Sequence, residues 1–452
     1  MPIIRQDNLF DMQELFEMAP THRFNAIFST LELGPLLRIF DKKTHRGAPR
    51  ELNTGAMIYS LIAARVVERI PTIKRLVKRL GQDPFFRFDC GFLLSDDVPS
   101  ESSYSRMISA ISETDALAVI QDVLVAQAIQ EGFITEESLA IDATHFEARD
   151  KAIASPKKEK PAPKKPGRKS KDEREKWLTE QKAAEEAKTL YEKEMIHLLD
   201  ESADTLACEM PTDPKWGIKK NSDGKNTFWF GYKAHLAVST ESQYIVSGLM
   251  SSGSLNDGKA AIPLLKQVDA RWPDRFQAGI MDKGYDYKAV YEQLRRMNLQ
   301  AVIAYNRRQE GEVLGFNEQF APTCVREHAY RYDSFDAKYE TLKYTRPHEC
   351  ATCPLQHDSL CQKVVKIKRS IDLRKHTVPA RSSIKWAIAY KTRGAVERVN
   401  AYLKELFDLN NVRHRTGKKA KIHFQLVTLV YNACRMAADR LKRANDMNQA
   451  AA

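Results

Sequence analysis

Acidic residues at the ends of two apolar runs suggest metal-dependent chemistry. Asp142 lies near the end of one run, in SLAIDATHF, and Asp282 directly follows another, in AGIMDKGYD. Carboxylates at strand ends are held beside a cleft, where the active sites of α/β folds collect. Hard divalent cations take oxygen ligands, so carboxylates can hold them without histidine or cysteine. Neither aspartate is specific by itself, because aspartate also ends strands by forming ordinary turns.

A third acidic residue, Glu397, belongs to a more specific pattern. The segment AYKTRGAVERVNAYLKELF predicts a helix over residues 390–407. One side of this helix carries polar residues spaced by three, four and seven positions: Tyr390, Arg393, Glu397 and Lys404. At 100° per residue, these side chains fall within about 40–60° of one another. An ion pair between Arg393 and Glu397 on a solvated face would explain two of them, but not the alignment of all four.

The surrounding sequence alternates strand and helix patterns. Short apolar runs predict strands over residues 139–146, 229–238, 244–250, 277–282 and 300–305. Amphipathic segments predict helices over residues 257–270, 287–297, 390–407 and 421–439. The polar turn 239–243 predicts a hairpin between the second and third strands. This order predicts an α/β domain over residues 136–452, with both aspartates at strand ends.

The residues before this domain predict an all-α N-terminal domain over residues 1–135. Candidate helices span residues 54–69, 72–80, 100–109 and 116–131, separated by proline and glycine breaks. The second of them carries basic residues at helical spacing: Lys74, Arg75, Lys78 and Arg79. A compact helical module with one basic face is suited to the DNA backbone or a DNA groove. A solvated helix face is the alternative explanation.

Two insertions interrupt the predicted α/β domain. The first, residues 151–222, contains PKKEKPAPKKPGRKSK at residues 156–171, which holds eight Lys or Arg and four Pro and cannot pack. This basic linker either touches the phosphate backbone or serves as a solubilising tether, and a charged helix over residues 172–199 follows it. The second insertion, residues 306–386, carries strand-like runs and four cysteines.

Those cysteines are candidate metal ligands. Two of them form Cys350-x2-Cys353 in HECATCPLQHDSLC, and the others are Cys324 and Cys361. Four thiolates, or three with a histidine such as His348 or His357, would suit structural Zn²⁺. Reduced thiols without a ligand are the alternative, and both interpretations stay open on the sequence.

The composition indicates a polyanionic partner. The chain has 71 Lys and Arg against 59 Asp and Glu, a net charge of +12. Such an excess favours nucleic acid or an anionic surface. No apolar stretch approaches the roughly 20 residues of a membrane span, and the N-terminus does not resemble a secretory signal. Seven cysteines, an odd number, fit a reducing cytosol better than a disulfide framework. We therefore expect a cytoplasmic, nucleoid-associated protein that does not bind membranes.

The pattern around Glu397 is that of a known family. The sequence resembles the DDE transposases of bacterial insertion sequences, whose catalytic glutamate lies in a Tyr-x2-Arg-x3-Glu-x6-Lys signature. Every position of that signature is matched, by Tyr390, Arg393, Glu397 and Lys404. By their short motifs, Asp142 in IDAT and Asp282 in DKGYD correspond to the two aspartates of the family.

The likeness covers most of the chain. It runs from about residue 47 to residue 432, with WFGYKAH at residues 229–235 and an N-terminal match at residues 98–108. It is weakest in the basic linker and in the second insertion. The separation between the two aspartates is long for a bare RNase H core, and a lysine-rich linker is unusual in this group.

The resemblance implies an RNase H-like catalytic domain that uses two Mg²⁺ or Mn²⁺ ions. Asp142 would bridge both ions, while Asp282 and Glu397 would each favour one. Two such ions can activate an oxygen nucleophile and stabilise the leaving oxygen of an in-line displacement. Water attack would free a 3′-hydroxyl at the end of the element, and that hydroxyl would then attack the opposite strand or target DNA.

The resemblance also implies the partners. Arg393 and Lys404 would hold backbone phosphates, arginine by its planar fork and lysine as a point charge. Tyr390 would hydrogen-bond a phosphate or pack near the cleaved end. The substrates would be double-stranded DNA, both terminal inverted repeats and target DNA, held by a homodimer on paired ends.

Two other functions remain open on the sequence. An RNase H-like nuclease that cuts DNA without joining it would carry the same carboxylates. A domesticated DNA-binding regulator would not need them, and the intact carboxylates and signature argue against it.

Overall fold

In the computed structural model, the described residues are 24–41, 52–66, 69–93, 95–152, 170–220, 223–355, 357 and 361–451. They form two compact units: one holds the described residues up to Phe133 and from Tyr402 onward, and the other spans Ile134–Ala401. The sequence predicts a second domain that continues to residue 452, whereas the residues from Tyr402 onward pack with the N-terminal helices.

The helices and strands follow the chain in this order. The helices are α1 Asn25–Phe28, α2 Gly34–Ile39, α3 Thr54–Val66, α4 Ile73–Gln82, α5 Pro84–Asp89, α6 Glu101–Ile111, α7 Ala116–Gln130, α8 Lys171–Glu186, α9 Ala203–Cys208, α10 Asp257–Arg271, α11 Lys288–Arg296, α12 Ile384–Lys391, α13 Gly394–Glu405 and α14 Gly417–Ala451. The strands are β1 Ser138–Glu147, β2 Lys215–Lys220, β3 Asn226–Ser239, β4 Ile245–Ser252, β5 Ala278–Met281, β6 Gln300–Ile303, β7 Arg331–Asp336, β8 Thr341–Thr345 and β9 Val364–Lys368. None of the described helices is long and apolar enough to cross a membrane.

The first unit is helical, as the sequence predicts. The long helix α14 packs along α7 and α1, and Arg440 of α14 forms an ion pair with Glu131 just after α7. The predicted basic helix is α4, which begins where the Thr72 hydroxyl accepts a hydrogen bond from the Arg75 amide at 3.2 Å. It buries its leucines and exposes Lys74, Arg75 and Lys78.

The second unit is built on a mixed six-stranded sheet. The strand order is β2-β3-β1-β5-β6, and β4 also pairs with β3. Strand β1 is antiparallel to β3 and parallel to β5, and β5 is parallel to β6. The consecutive residues Leu139, Ala140 and Ile141 of β1 are all buried, as expected for a central strand that is covered on both faces. The predicted α/β fold, preceded by a helical region, is confirmed.

The first insertion is partly described. Residues 156–169 of the predicted basic linker lie outside the described residues. The charged helix that was expected to reach residue 199 ends at Glu186. A 3₁₀ helix, Met195–Leu199, and α9 follow it. Tyr191, Leu198 and Leu206 are buried in an apolar cluster with Ala260 and Ile262 of α10, which attaches this insertion to the second unit.

The second insertion forms its own three-stranded sheet, in the order β7-β8-β9. An ion-pair network attaches the segment after β9 to the segments that follow β5 and β6 of the larger sheet. The Arg374 guanidinium donates to Asp286 Oδ2 at 2.8 Å and to Glu310 Oε1 at 2.7 Å. The Asp286 side chain is fully buried and accepts a further hydrogen bond from the Tyr291 hydroxyl at 2.9 Å. Asp286 lies only four residues after Asp282, so this network supports the segment that carries the second aspartate.

Candidate active site

The two aspartates predicted from the sequence lie on neighbouring parallel strands. Asp142 is within β1, and Asp282 is the first residue after β5. The register pairs Ile141 with Met281, so the next residue on each strand is one of the two aspartates. Adjacent strands are about 4.8 Å apart, and the register alone therefore brings the two carboxylates side by side.

Asp282 is held by a tight turn. Its Oδ1 accepts a hydrogen bond from the Gly284 amide at 2.7 Å, and this contact caps the 3₁₀ helix Lys283–Tyr285. A Cβ on Gly284 would lie 2.9 Å from Asp282 Oδ1, so glycine lets the turn close over the carboxylate. One oxygen of Asp282 is thus fixed by the backbone.

The surroundings of Asp142 favour a bound cation. Burial raises the pKa of Asp142 to about 7, and the negative charge of Asp282 acts in the same direction. The positive charges of Arg393 and Lys219 act against this rise. A buried carboxylate beside a second one is stabilised in its charged form by a cation between them. Asp142 and Asp282 are therefore two neighbouring carboxylates whose negative charges a bound cation would stabilise.

The helix predicted over residues 390–407 is interrupted, which corrects the geometry expected from the sequence. α12 ends at Lys391 and α13 begins at Gly394. The Thr392 hydroxyl donates to the Ala389 carbonyl at 2.8 Å, inside the last turn of α12. Arg393 thus stands between two helices, and the uniform rotation of 100° per residue does not run through the whole signature.

The first three signature residues are nevertheless brought together. The Arg393 guanidinium donates to Glu397 Oε1 at 2.8 Å and lies 5.8 Å from the centre of the Tyr390 ring. Tyr390 is stacked on Trp386, with ring centres 4.8 Å apart. Lys404 is on the last turn of α13, in the segment that belongs to the first unit.

Asn400 is a site residue that the sequence analysis missed. Its Nδ2 donates a hydrogen bond to Asp142 Oδ2 at 3.2 Å, and its side chain is 8% exposed. Its Oδ1 is buried and has no hydrogen-bond partner among the described residues. Asn400 lies three residues after Glu397 on α13, on the same side of the helix. It therefore joins the helix that carries Glu397 to the strand that carries Asp142.

Asp142 and Asp282 are neighbours, but they do not form a closed ligand set with a third carboxylate among the described residues. Within the described ranges, no group of three or more His, Cys, Asp or Glu side chains is arranged to hold a metal ion as it stands. The Glu397 side chain is 54% exposed and forms an ion pair with Arg393 at 2.8 Å. The carboxylate oxygens of Asp142 and Asp282 are donors of the kind that hard divalent cations take.

The four cysteines of the second insertion are free thiols. Cys350 and Cys361 are buried, and the other two are half-buried. Burial raises the pKa of Cys350, and the neighbouring Cys361 and Cys324 act in the same direction. Arg326 Nη1 lies 3.9 Å from Cys353 Sγ. The thiols thus influence one another electrostatically, although they are not arranged as a metal site.

Comparisons with known proteins relate the chain to mobile elements. Residues 135–433 match the family described as Transposase DDE domain, and residues 13–110 match the one described as Transposase domain (DUF772). No curated protein matches the chain. A solved structure of the piggyBac transposase synaptic complex with hairpin DNA has 12% identity and a TM-score of 0.38 to this chain, over 97% of this chain and 77% of that one.

Proposed function

Because the Transposase DDE domain family matches residues 135–433, the chain belongs to the DDE transposases, and we propose that Asp142, Asp282 and Glu397 form its reaction centre. Transposition of DNA is the function of this family. One observation supports the residue assignment most: the parallel register places Asp142 beside Asp282, and Asn400 joins Asp142 to the helix of Glu397. All three carboxylates lie inside the matched residues.

The three carboxylates would hold two Mg²⁺ or Mn²⁺ ions, as oxygen donors suited to hard cations. Such ions supply charge neutralisation at phosphorus and activation of an oxygen nucleophile. Of the chain's own groups, the Gly284 amide orients Asp282 and the Asn400 amide orients Asp142. Each of these contacts holds one oxygen of a carboxylate by a hydrogen bond.

Arg393 links DNA binding to the state of Glu397. In the protein alone, the guanidinium pairs with the Glu397 carboxylate. A DNA phosphate gives the guanidinium a second anionic partner of the bidentate kind that arginine prefers. Transfer of Arg393 to the phosphate would free Glu397 to join the aspartates, so the site would close only on a bound DNA end.

The remaining partner assignments follow from the family and the charge. We propose that terminal inverted repeats and target DNA are the substrates, that Arg393 and Lys404 contact phosphates, and that Tyr390 packs near the cleaved end. The exposed lysines and arginine of α4 would contact the DNA backbone. A homodimer on paired ends and a location in the bacterial cytoplasm are part of the same proposal.

The experiment that tests this function uses labelled duplexes of the element's terminal inverted repeats, incubated with the full chain and Mg²⁺. We expect cleavage at the repeat end followed by a joined product with target DNA. Cleavage without any joined product would favour an RNase H-like nuclease. Normal DNA binding without cleavage, unchanged in Asp142→Asn, would favour a DNA-binding regulator.

Replacing Asn400 by alanine should reduce cleavage by about 10- to 100-fold, the usual cost of removing a partner that orients a metal ligand. In this variant Asp142 loses the hydrogen bond from residue 400 and gains rotational freedom. Asn400 would thus act as a positioning residue. The readout that separates positioning from a general structural role is the Mg²⁺ dependence. The Mg²⁺ concentration for half-maximal cleavage should rise, and excess Mg²⁺ should restore part of the activity at an unchanged melting temperature. If the Mg²⁺ dependence does not move, this role is wrong.

We keep structural zinc as a hypothesis for the four cysteines. It rests on their number, their confinement to one insertion and their mutual electrostatic influence. Purified full chain should then contain about one zinc per chain, as four-coordinate structural sites do. Cys353→Ser should lose it, and Cys208→Ser, which changes an exposed cysteine of α9, should retain it. If the full chain, purified without added chelator, holds no zinc, these residues are reduced thiols without a metal ligand.

A further inference from the structure

A cavity of about 480 Å³ lies between α11 and the second insertion. Lys288, Glu292 and Arg295 of α11 line one side of it, and Glu340 before β8 and the segment 370–374 after β9 line the rest. Six of these nine lining residues are charged. We call it the α11 cavity, and its lining suits an ionic ligand rather than an apolar one.

Arg369 is a buried cation at the wall of this cavity. It directly precedes the lining segment 370–374, and its backbone amide donates to the Glu340 carbonyl at 2.9 Å. The residue is only 8% exposed, and its buried Nε has no hydrogen-bond partner among the described residues. Taking a guanidinium out of water is unfavourable unless an anion or hydrogen-bond acceptors replace the water. The position of Arg369 therefore calls for an anionic partner.

The carboxylates that line the cavity do not supply this partner. Glu292 forms an ion pair with Arg295 at 2.8 Å, and Asp372 Oδ1 accepts a backbone amide at 2.9 Å. Glu340 is exposed and acts on Arg369 through its charge. Burial lowers the pKa of Arg369, and the negative charge of Glu340 offsets only part of this effect. The buried guanidinium thus keeps a charge that the protein's own groups compensate incompletely.

The other cations of the cavity show which ligand fits. Arg295 and Arg374 already form ion pairs with carboxylates. Of the described cations at the cavity, this leaves Arg369 and the exposed Lys288 for a ligand. Arginine binds a phosphate through its planar fork and lysine binds one as a point charge. A tetrahedral anion directs its oxygens apart and can meet cations from two different elements at once.

We propose that the α11 cavity binds a phosphate group, held by the Arg369 guanidinium and the Lys288 ammonium. The same chemistry is offered by a phosphodiester of DNA and by a free phosphate ion. Lys288 is six residues after Asp282, but no step of this inference uses the carboxylates of the proposed reaction centre. A bound phosphate would connect α11 with the segment that follows β9, from the two sides of the cavity.

The experiment titrates the full chain with inorganic phosphate in EDTA, at constant ionic strength, and follows binding by calorimetry. We expect saturable binding of one phosphate per chain. Arg369→Met should weaken it by about tenfold to 100-fold, the usual effect of losing hydrogen bonds to a charged group. Lys288→Gln should weaken it less, because this lysine is exposed. Glu340→Gln should strengthen it, because a negative charge beside the anion is removed.

Thermal unfolding without phosphate separates this site from an internal ion pair. Arg369→Met should unfold at the wild-type temperature or higher, because it removes a buried charge that has no partner. Phosphate should then raise the unfolding temperature of the wild type and leave that of Arg369→Met unchanged. If Arg369 pairs with Glu340 in solution, Arg369→Met and Glu340→Gln would both unfold at lower temperature, and the proposal would be wrong.

A second titration, with duplex DNA in EDTA, identifies the source of the phosphate. If the source is DNA, duplex should compete with inorganic phosphate, and Arg369→Met should make duplex binding less dependent on salt by about one unit of slope. If the source is a free ion, duplex binding should be the same in both proteins.

The matched control is Arg307→Met, which removes an exposed arginine of the same insertion that pairs with Glu312. It should bind both probes as the wild type does. Equal affinity of wild type and Arg369→Met for inorganic phosphate and for duplex would overturn the proposal. Because no cleavage is measured, this result is independent of whether the reaction centre is correctly assigned.

Discussion

Replacing Asp282 by asparagine should reduce cleavage of labelled repeat ends by about 1,000-fold or more, since losing the several kcal/mol that a metal-bound charge supplies has an effect of that size. Asparagine retains an oxygen that can accept the Gly284 amide hydrogen, so the turn that holds residue 282 is expected to stay intact. What is lost is the negative charge beside Asp142. The measurement is the rate of product formation at saturating Mg²⁺.

The control for this substitution is Asp269→Asn on the exposed side of α10, which makes the same chemical change away from the site. It should cleave at the wild-type rate. The assignment of Asp282 would be wrong if Asp282→Asn, with an unchanged melting temperature, kept a rate within tenfold of wild type.

The second large effect concerns stability. Arg374→Met should lower the free energy of unfolding by about 3–5 kcal/mol, because it leaves the fully buried Asp286 carboxylate without its ion-pair partner. For a unit of this size, such a loss lowers the melting temperature by about 10 °C. Calorimetry of the full chain should show the shift. The double variant Arg374→Met with Asp286→Asn should recover part of it, since the unpaired charge is then absent.

Arg307→Met serves as the matched control for Arg374→Met. Arg307 pairs with Glu312 at 3.2 Å, but the two side chains are 54% and 85% exposed. Exposed pairs contribute little, so a change within about 0.5 kcal/mol is expected. A loss of equal size in both variants would show that burial of Asp286 is not the cause.

The sequence predicted the parts of the site that depend on local pattern. Apolar runs placed Asp142 and Asp282 at β1 and β5, and the structure has both strands near the predicted bounds. The spacing of the residues around Glu397 predicted that this segment is helical and that it carries a polar face, because helical periodicity is visible in a single segment. The all-α N-terminal region was predictable for the same reason.

Contacts between distant segments were not predictable. Asn400 binds Asp142 across 258 residues of sequence, and no local pattern distinguishes it from a solvated asparagine. The break at Thr392 depends on a hydroxyl that bonds within its own turn, which threonine also does in continuous helices. The face that the β2–β3 hairpin presents depends on the register of the two strands, and a shift of one residue would turn its side chains to the other side.

Binding of Mn²⁺ to the full chain tests the central claim most directly. Free Mn²⁺ is followed by electron paramagnetic resonance while protein is added, with a cleaved repeat end present so that Arg393 has a phosphate partner. We expect the wild type and Asp269→Asn to remove Mn²⁺ from solution, and Asp142→Asn, Asp282→Asn and Glu397→Gln each to remove much less. Equal Mn²⁺ uptake by all five proteins would contradict a metal site formed by these three carboxylates.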